Sequence, residues 1–266
     1  MHDFKRIITA LIAAPVVLLT ILYGSKLLFL LLVLAGTIVG LLEYYALAGK
    51  TGASFPVWLG VTLGCLLVGS SYSFSFPHVL GALVLIVLLS LSYYMLNYDS
   101  YHDIFQSVSL FITGIAYVAL SFTHLVLLRH IGREWVLFLL FVVFWGDTGA
   151  YYTGKCFGRK KLYPSVSPGK TVEGAIGGLA VSIGMGYLVR VFYLPWLSNR
   201  QAIVMAATLG LAGQTGDLVE SVIKRAVGVK DSGAILPGHG GVLDRMDGVI
   251  FAAPVLFYEV LFFLRA

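Results

Sequence analysis

Charge is scarce in this chain. Only 12% of its 266 residues are Asp, Glu, Lys or Arg, and 59% are hydrophobic; the mean hydropathy is +0.91. That balance excludes an ordinary water-soluble domain, where about a quarter of residues are charged. The formal charge of +5 is small and scattered, so no nucleic-acid partner is expected. Cysteine is scarcer still. Cys65 lies in an apolar run and Cys156 in a polar loop, which leaves no disulfide framework and no cysteine-based metal pattern. Internal repeats, long linkers and low-complexity tails are also missing. One integral domain, 1–266, is the economical expectation.

What the chain has in quantity is apolar length. Nine hydrophobic runs fall roughly at 7–23, 27–48, 56–74, 77–97, 104–128, 135–153, 172–194, 201–223 and 243–264, most near the ~20 residues that cross a bilayer as a helix. The expected fold is all-α, a polytopic integral membrane protein of about nine transmembrane helices. Lys5 and Arg6 before the first run resemble a signal peptide. No small-residue cleavage site stands out, however, and a second run follows at once, so the first is read as retained. Placing the N-terminus in the cytoplasm puts twelve Lys and Arg inside and five outside, which decides the orientation. Residues 1–134 then supply the N-terminal helices. Residues 135–266 carry two cytoplasmic polar loops, 154–171 and 224–242.

The few charges are not evenly spread. Seven of the 13 acids lie between Asp147 and Asp247. The densest stretch runs from Asp217 to Asp247. Asp217, Glu220, Ser221 and Lys224 follow i, i+3, i+4, i+7 spacing, one face of a helix. Asp244 and Asp247 repeat the i, i+3 spacing beyond a Pro237-Gly238-His239-Gly240-Gly241 turn, which no helix can continue. Carboxylates on two helix ends, ringed by Lys and Arg, suit Mg²⁺ bound to phosphates. Ionisable groups near membrane depth mark function by default.

Upstream, Asp147 interrupts a long apolar run within WGDTGAYYTGK. The segment SPGKTVEG is not a P-loop, because Pro164 stands where a P-loop has its first glycine. Ser167-Pro168 reads instead as a helix N-cap with proline at the first helical position, which would place Lys170 and the helix N-terminus where phosphate oxygens can bind. Arg159-Lys160-Lys161 suits lipid headgroups or a substrate equally well. Glu43, beside Tyr44 and Tyr45 at the end of the second run, reads as an interfacial helix-end carboxylate. GxxxG spacings at Gly36/Gly40, Gly60/Gly64 and Gly174/Gly178 allow close helix contact within the chain or in a homodimer.

The pattern Ser221-x-Ile223-Lys224-Arg225, then Lys230-Asp231-x-Gly233-x-x-Leu236-Pro237-x-His239-Gly240-Gly241-x-x-Asp244-Arg245-Met246-Asp247, resembles the signature of the phosphatidate cytidylyltransferase family. WGDTGAYYTGK and SPGKTVEG resemble that family's other polar blocks, in the expected order. The resemblance is clear over roughly 140–250, and the earlier runs are similar in hydropathy only. Gly169 departs from it, since relatives commonly carry a second basic residue there; Lys170 is left as that segment's main cation.

The resemblance implies an enzyme of the inner membrane, with its site facing the cytoplasm. It would join CTP and phosphatidic acid into CDP-diacylglycerol and pyrophosphate with Mg²⁺, with room for a second metal ion. A lipid phosphate is itself a nucleophile, so positioning and electrostatics carry the task. On this reading Asp217, Lys224, Arg225, Asp244, Arg245 and Asp247 are catalytic, and Asp217, Asp244, Asp247 and Asp147 are the metal ligands. Lys170, Lys230, His239, Ser221, Ser167, Thr171, Gly240 and Gly241 bind substrate; His239 serves equally well as turn packing. Asp231, Glu173 and Glu220 orient the cations. A polyprenol- or dolichol-type kinase or an archaeal-lipid cytidylyltransferase would share this chemistry. A transporter would spread its charges along a path across the membrane, whereas these crowd one side.

Overall fold

In a computed structural model, residues 15–233 and 240–265 are described, with side chains to Phe263. Seven helices among the described residues are long and apolar enough to cross a membrane, as expected of a polytopic integral membrane protein. They are α1 (Lys26–Gly49), α3 (Phe76–Leu96), α4 (Ile104–Ile131), α5 (Arg133–Phe157), α6 (Val172–Tyr193), α7 (Asn199–Ala226) and α8 (Leu243–Arg265). Helix α2 (Val57–Ser70) continues to Ser73 as a 3₁₀ turn. At about 1.5 Å per residue it falls short of the ~30 Å hydrocarbon core, so this run is not among the seven. Residues 15–23 are helical, but much of the first apolar run lies outside the described residues.

The chain forms two compact units. The first combines the residues up to His130 with Ala226–Arg245; the second combines Ile131–Arg225 with the residues from Met246.

In the first unit, Ser25 opens α1 by accepting the Leu28 N–H, and Asp103 opens α4 by accepting that of Gln106. Polar caps of this kind satisfy donors that helix starts leave unpaired. The core centres on Tyr45, which stacks on Phe111 and donates its hydroxyl to the Phe111 carbonyl at 3.0 Å. Gly60 and Gly64 of α2 pack on Tyr45 and Leu41, and Gly36 and Gly40 of α1 on Phe122 and Val118. Helix α4 widens into a π-helical turn at Ile115–Leu120.

In the second unit, α5 and α6 lie backbone to backbone. A Cβ on Gly178 would stand 2.8 Å from the Ala150 Cβ and 2.9 Å from the Gly146 carbonyl oxygen. The Ser182 hydroxyl donates to the Val142 carbonyl at 3.0 Å, a helix-to-helix bond of the kind small residues permit. All three GxxxG pairs are therefore used inside the chain, and they lend a homodimer no support. Ser198 and Gln201 start α7 with a reciprocal capping box.

The second unit corrects the all-α expectation locally. Lys161–Tyr163 (β1) and Ser167–Thr171 (β2) pair as a short antiparallel hairpin between α5 and α6. Ser167-Pro168 is consequently in a strand and caps no helix. The N-cap is Thr171, whose hydroxyl accepts the Gly174 N–H at 3.1 Å. Proline at the second strand position is tolerable because an edge strand can do without that donor.

Candidate functional site

The second unit gathers most of the polar residues singled out in the sequence. Helix α7 presents Asp217, Glu220 and Lys224 in successive turns. Lys170, on β2, reaches Asp217 with Nζ 2.8 Å from Oδ2. One turn on, Lys224 Nζ lies 3.4 Å from Glu220 Oε1, and the Glu220 side chain is only 1% exposed. A carboxylate this buried requires charge compensation, because desolvation of an unpaired ion costs several kcal/mol, roughly. Arg225 donates from Nε to the Val166 carbonyl at 3.3 Å, tying the end of α7 to the hairpin.

Two further acids complete this cluster. Asp147 of α5 lies in the field of Asp247, Asp217 and Lys170. Asp247 of α8 faces Asp217, Glu220 and Lys224, and its Oδ1 accepts the Gly248 N–H at 2.7 Å. Gly216 permits the approach of α7 to α8, since a Cβ there would run into the Asp247 carbonyl. Ser221 is half-buried on α7, one turn after Asp217.

Glu173 takes a different part from the one expected. Its carboxylate accepts the backbone N–H groups of Arg159 and Lys160, at 3.0 and 3.2 Å, and so fixes the hairpin's entry into β1.

The first unit holds the rest of the signature. Asp244 Oδ2 accepts three bonds: from Gly241 N–H at 2.8 Å, Ser232 N–H at 2.9 Å and the Ser232 hydroxyl at 2.9 Å. Gly240, at φ +79°, adopts a left-handed backbone that costs glycine nothing. Lys230, Asp231 and Arg245 are exposed around this turn. His239 lies outside the described residues.

Sequence reasoning missed the partner of that turn. Glu43 is 4% exposed and no interfacial carboxylate. It accepts the Val242 N–H at 3.0 Å and the Leu243 N–H at 2.9 Å, with the Ser232 hydroxyl at 3.4 Å. An acid within the apolar LLEYY run is itself the signal that was available. Glu259, deep in α8, is a second such acid; its Oε1 accepts the Thr208 hydroxyl at 2.6 Å.

The donor set is oxygen throughout, the kind Mg²⁺ prefers. Among the described residues, however, no three Asp, Glu, His or Cys side chains form a ready-made metal cluster. The residues fit a metal held by one or two carboxylates with the remaining positions left to phosphate and water, which is how Mg²⁺ is commonly bound.

A polytopic membrane protein with acids and cations concentrated at a short hairpin and the helix ends beside it belongs to the class that handles phosphorylated lipids or nucleotides at a membrane. The sequence model of the Cytidylyltransferase family matches residues 4–263, and the chain belongs to that family. It is 35% identical to the phosphatidate cytidylyltransferase of Bacillus subtilis over 99% of this chain and 100% of that one. The Staphylococcus saprophyticus enzyme of the same name is 35% identical over 94% and 96% of the two chains, and that of Staphylococcus haemolyticus is 40% identical over 66% and 67%. The likeness thus extends well before residue 140, beyond the region where the motifs alone made it clear.

Proposed function

We propose that this chain is a phosphatidate cytidylyltransferase, making CDP-diacylglycerol and pyrophosphate from CTP and phosphatidate. The end-to-end match to the Bacillus subtilis enzyme of that name carries the reading. In the reaction, a phosphate oxygen of the lipid forms a bond to the α-phosphorus of CTP. The bond from that phosphorus to the bridging oxygen breaks, and pyrophosphate leaves with the electron pair. No protein nucleophile is needed.

The second unit's cluster supports this chemistry. Lys170, Lys224 and Arg225 concentrate positive charge beside Asp217 and Asp247, which suits the binding of a polyanion as charge shifts to a leaving group. Within the second unit, Mg²⁺ would take one or two carboxylates from Asp217, Asp247 and Asp147; Asp244, of the first unit, is proposed as a ligand in its own right. When bound, the metal neutralises phosphate charge and orients phosphate oxygens. Lys230, Arg245, Ser221, Ser167, Thr171, Gly240, Gly241 and His239 are assigned to substrate binding or to the turn around it. Asp231 and Glu220 orient neighbouring cations.

We further propose nine membrane passes, counting the first apolar run and the short α2, which a locally thinned bilayer would accommodate, with a cytoplasmic N-terminus and a site that meets CTP on the cytoplasmic face of the inner membrane. Labelled CTP tests the reaction directly. Purified protein with phosphatidate should move α-label into lipid and release γ-label as pyrophosphate. Lipid carrying γ-label, with CDP set free, would instead make the chain a lipid kinase.

A further inference from the structure

Helix α8 begins at Leu243 behind a residue that cannot cap it. Val242, at the N-cap position, carries no side-chain acceptor, and the first N–H groups of any helix lack intrahelical partners. Glu43 of α1 fills the gap, one carboxylate oxygen for each of the Val242 and Leu243 N–H groups. A negative charge at a helix N-terminus is also favoured by the helix dipole.

The same carboxylate is linked to the signature acid. The Ser232 hydroxyl lies 2.9 Å from Asp244 Oδ2 and 3.4 Å from Glu43 Oε2. It has one proton, so it donates chiefly to Asp244 while its oxygen stays against Glu43. Space around Glu43 is also reserved. A Cβ on Gly233 would come within 2.6 Å of Glu43 Oε1, and one on Gly241 within 2.6 Å of Oε2. Two of the signature glycines thereby gain a reason that has nothing to do with substrate. They leave room for a carboxylate contributed from about 190 residues earlier in the chain.

We infer that Glu43 is a positioning residue for the cytidylyl-transfer reaction: its buried carboxylate fixes the Gly241–Leu243 backbone, and with Ser232 it sets the orientation of Asp244 and Arg245. The inference rests on the proposed function for its effect on turnover, but not for its effect on the backbone. Glu43 touches no substrate in this role. Its negative charge and its two equivalent acceptors matter more than its bulk. In Glu43→Gln one acceptor becomes an NH₂ group facing a backbone N–H, donor against donor.

Hydrogen exchange on metal-free, substrate-free protein in detergent, followed by turnover, tests this. Glu43→Gln should raise exchange at the 241–245 amides at least tenfold while the amides of α1 stay protected. Turnover should fall at least tenfold with little change in KM for CTP, and the Mg²⁺ concentration for half-maximal activity should rise. Ser232→Ala, which keeps Glu43, should shift the same readouts in the same direction by less. If Glu43→Gln accelerates exchange evenly through α1–α4, its role is general packing and the inference is overturned. Unchanged exchange at 241–245 overturns it as well. Wild-type protein with no cytidylyl transfer would sink the proposed function and leave the exchange result standing.

Discussion

Lys170 and Asp217 meet at 2.8 Å, so a cation from the hairpin sits on an acid from the middle of the polar face of α7. Each neutralises the other. Replacing Lys170 by Met should lower turnover at least tenfold, about 1.4 kcal/mol of barrier. Lys170→Arg should recover only part of the loss, because a planar fork does not reproduce a compact ammonium. Initial rates at saturating CTP measure this. Full activity in Lys170→Met would remove the pair from the reaction.

Asp217→Asn and Asp244→Asn keep size while weakening any Mg²⁺ coordination. Both proteins should insert and purify, with activity reduced by at least a hundredfold and partly recovered at high Mg²⁺. Thermal unfolding in detergent separates this from a structural role. A large fall in melting temperature with near-normal specific activity would make these acids structural.

Arg225 gives its Nε–H to the Val166 carbonyl. Lysine carries the charge but has no second nitrogen placed to keep that bond while reaching a phosphate. Arg225→Lys should therefore lose activity nearly as far as Arg225→Ala, and limited proteolysis should cut the 158–171 hairpin faster in both. Normal turnover in Arg225→Lys would show that only the charge counts.

The α5–α6 contact allows a matched pair of substitutions. Gly178→Ala places a methyl 2.8 Å from the Ala150 Cβ, whereas Gly184 has nothing within 4 Å of its would-be Cβ. Overpacking of a close contact costs about 1–3 kcal/mol, so Gly178→Ala should unfold at lower temperature. Gly184→Ala should hold or raise stability, since alanine is the better helix former. Equal behaviour of the two would contradict the close approach.

The Lys and Arg distribution leads us to expect a cytoplasmic hairpin. A cysteine replacing Lys160, in a background with Cys65 and Cys156 removed, should react with an impermeant maleimide only from the cytoplasmic side. One replacing Arg133 should react only from outside. Reversed labelling would turn the proposed site to the wrong face of the membrane.

Much was legible in the sequence because a bilayer imposes a one-dimensional rule. Backbone groups in hydrocarbon must be paired within the segment, so apolar length alone marked the seven spanning helices, although it marked two further runs, 7–23 and 56–74, as well. Local spacing likewise announced the Asp217–Glu220–Lys224 face, since a helix sets its own neighbours. Pairings between distant segments obey no such rule. Lys170 on Asp217 and Arg225 on Val166 depend on where the hairpin falls. That hairpin was hidden because Ser167-Pro168 is as good a helix start as a strand entry by local chemistry. Glu43 was the largest omission. A helix that starts at Leu243 without a capping side chain requires an acceptor from elsewhere, and only the packing of α1 decided that the acceptor would be a carboxylate some two hundred residues away.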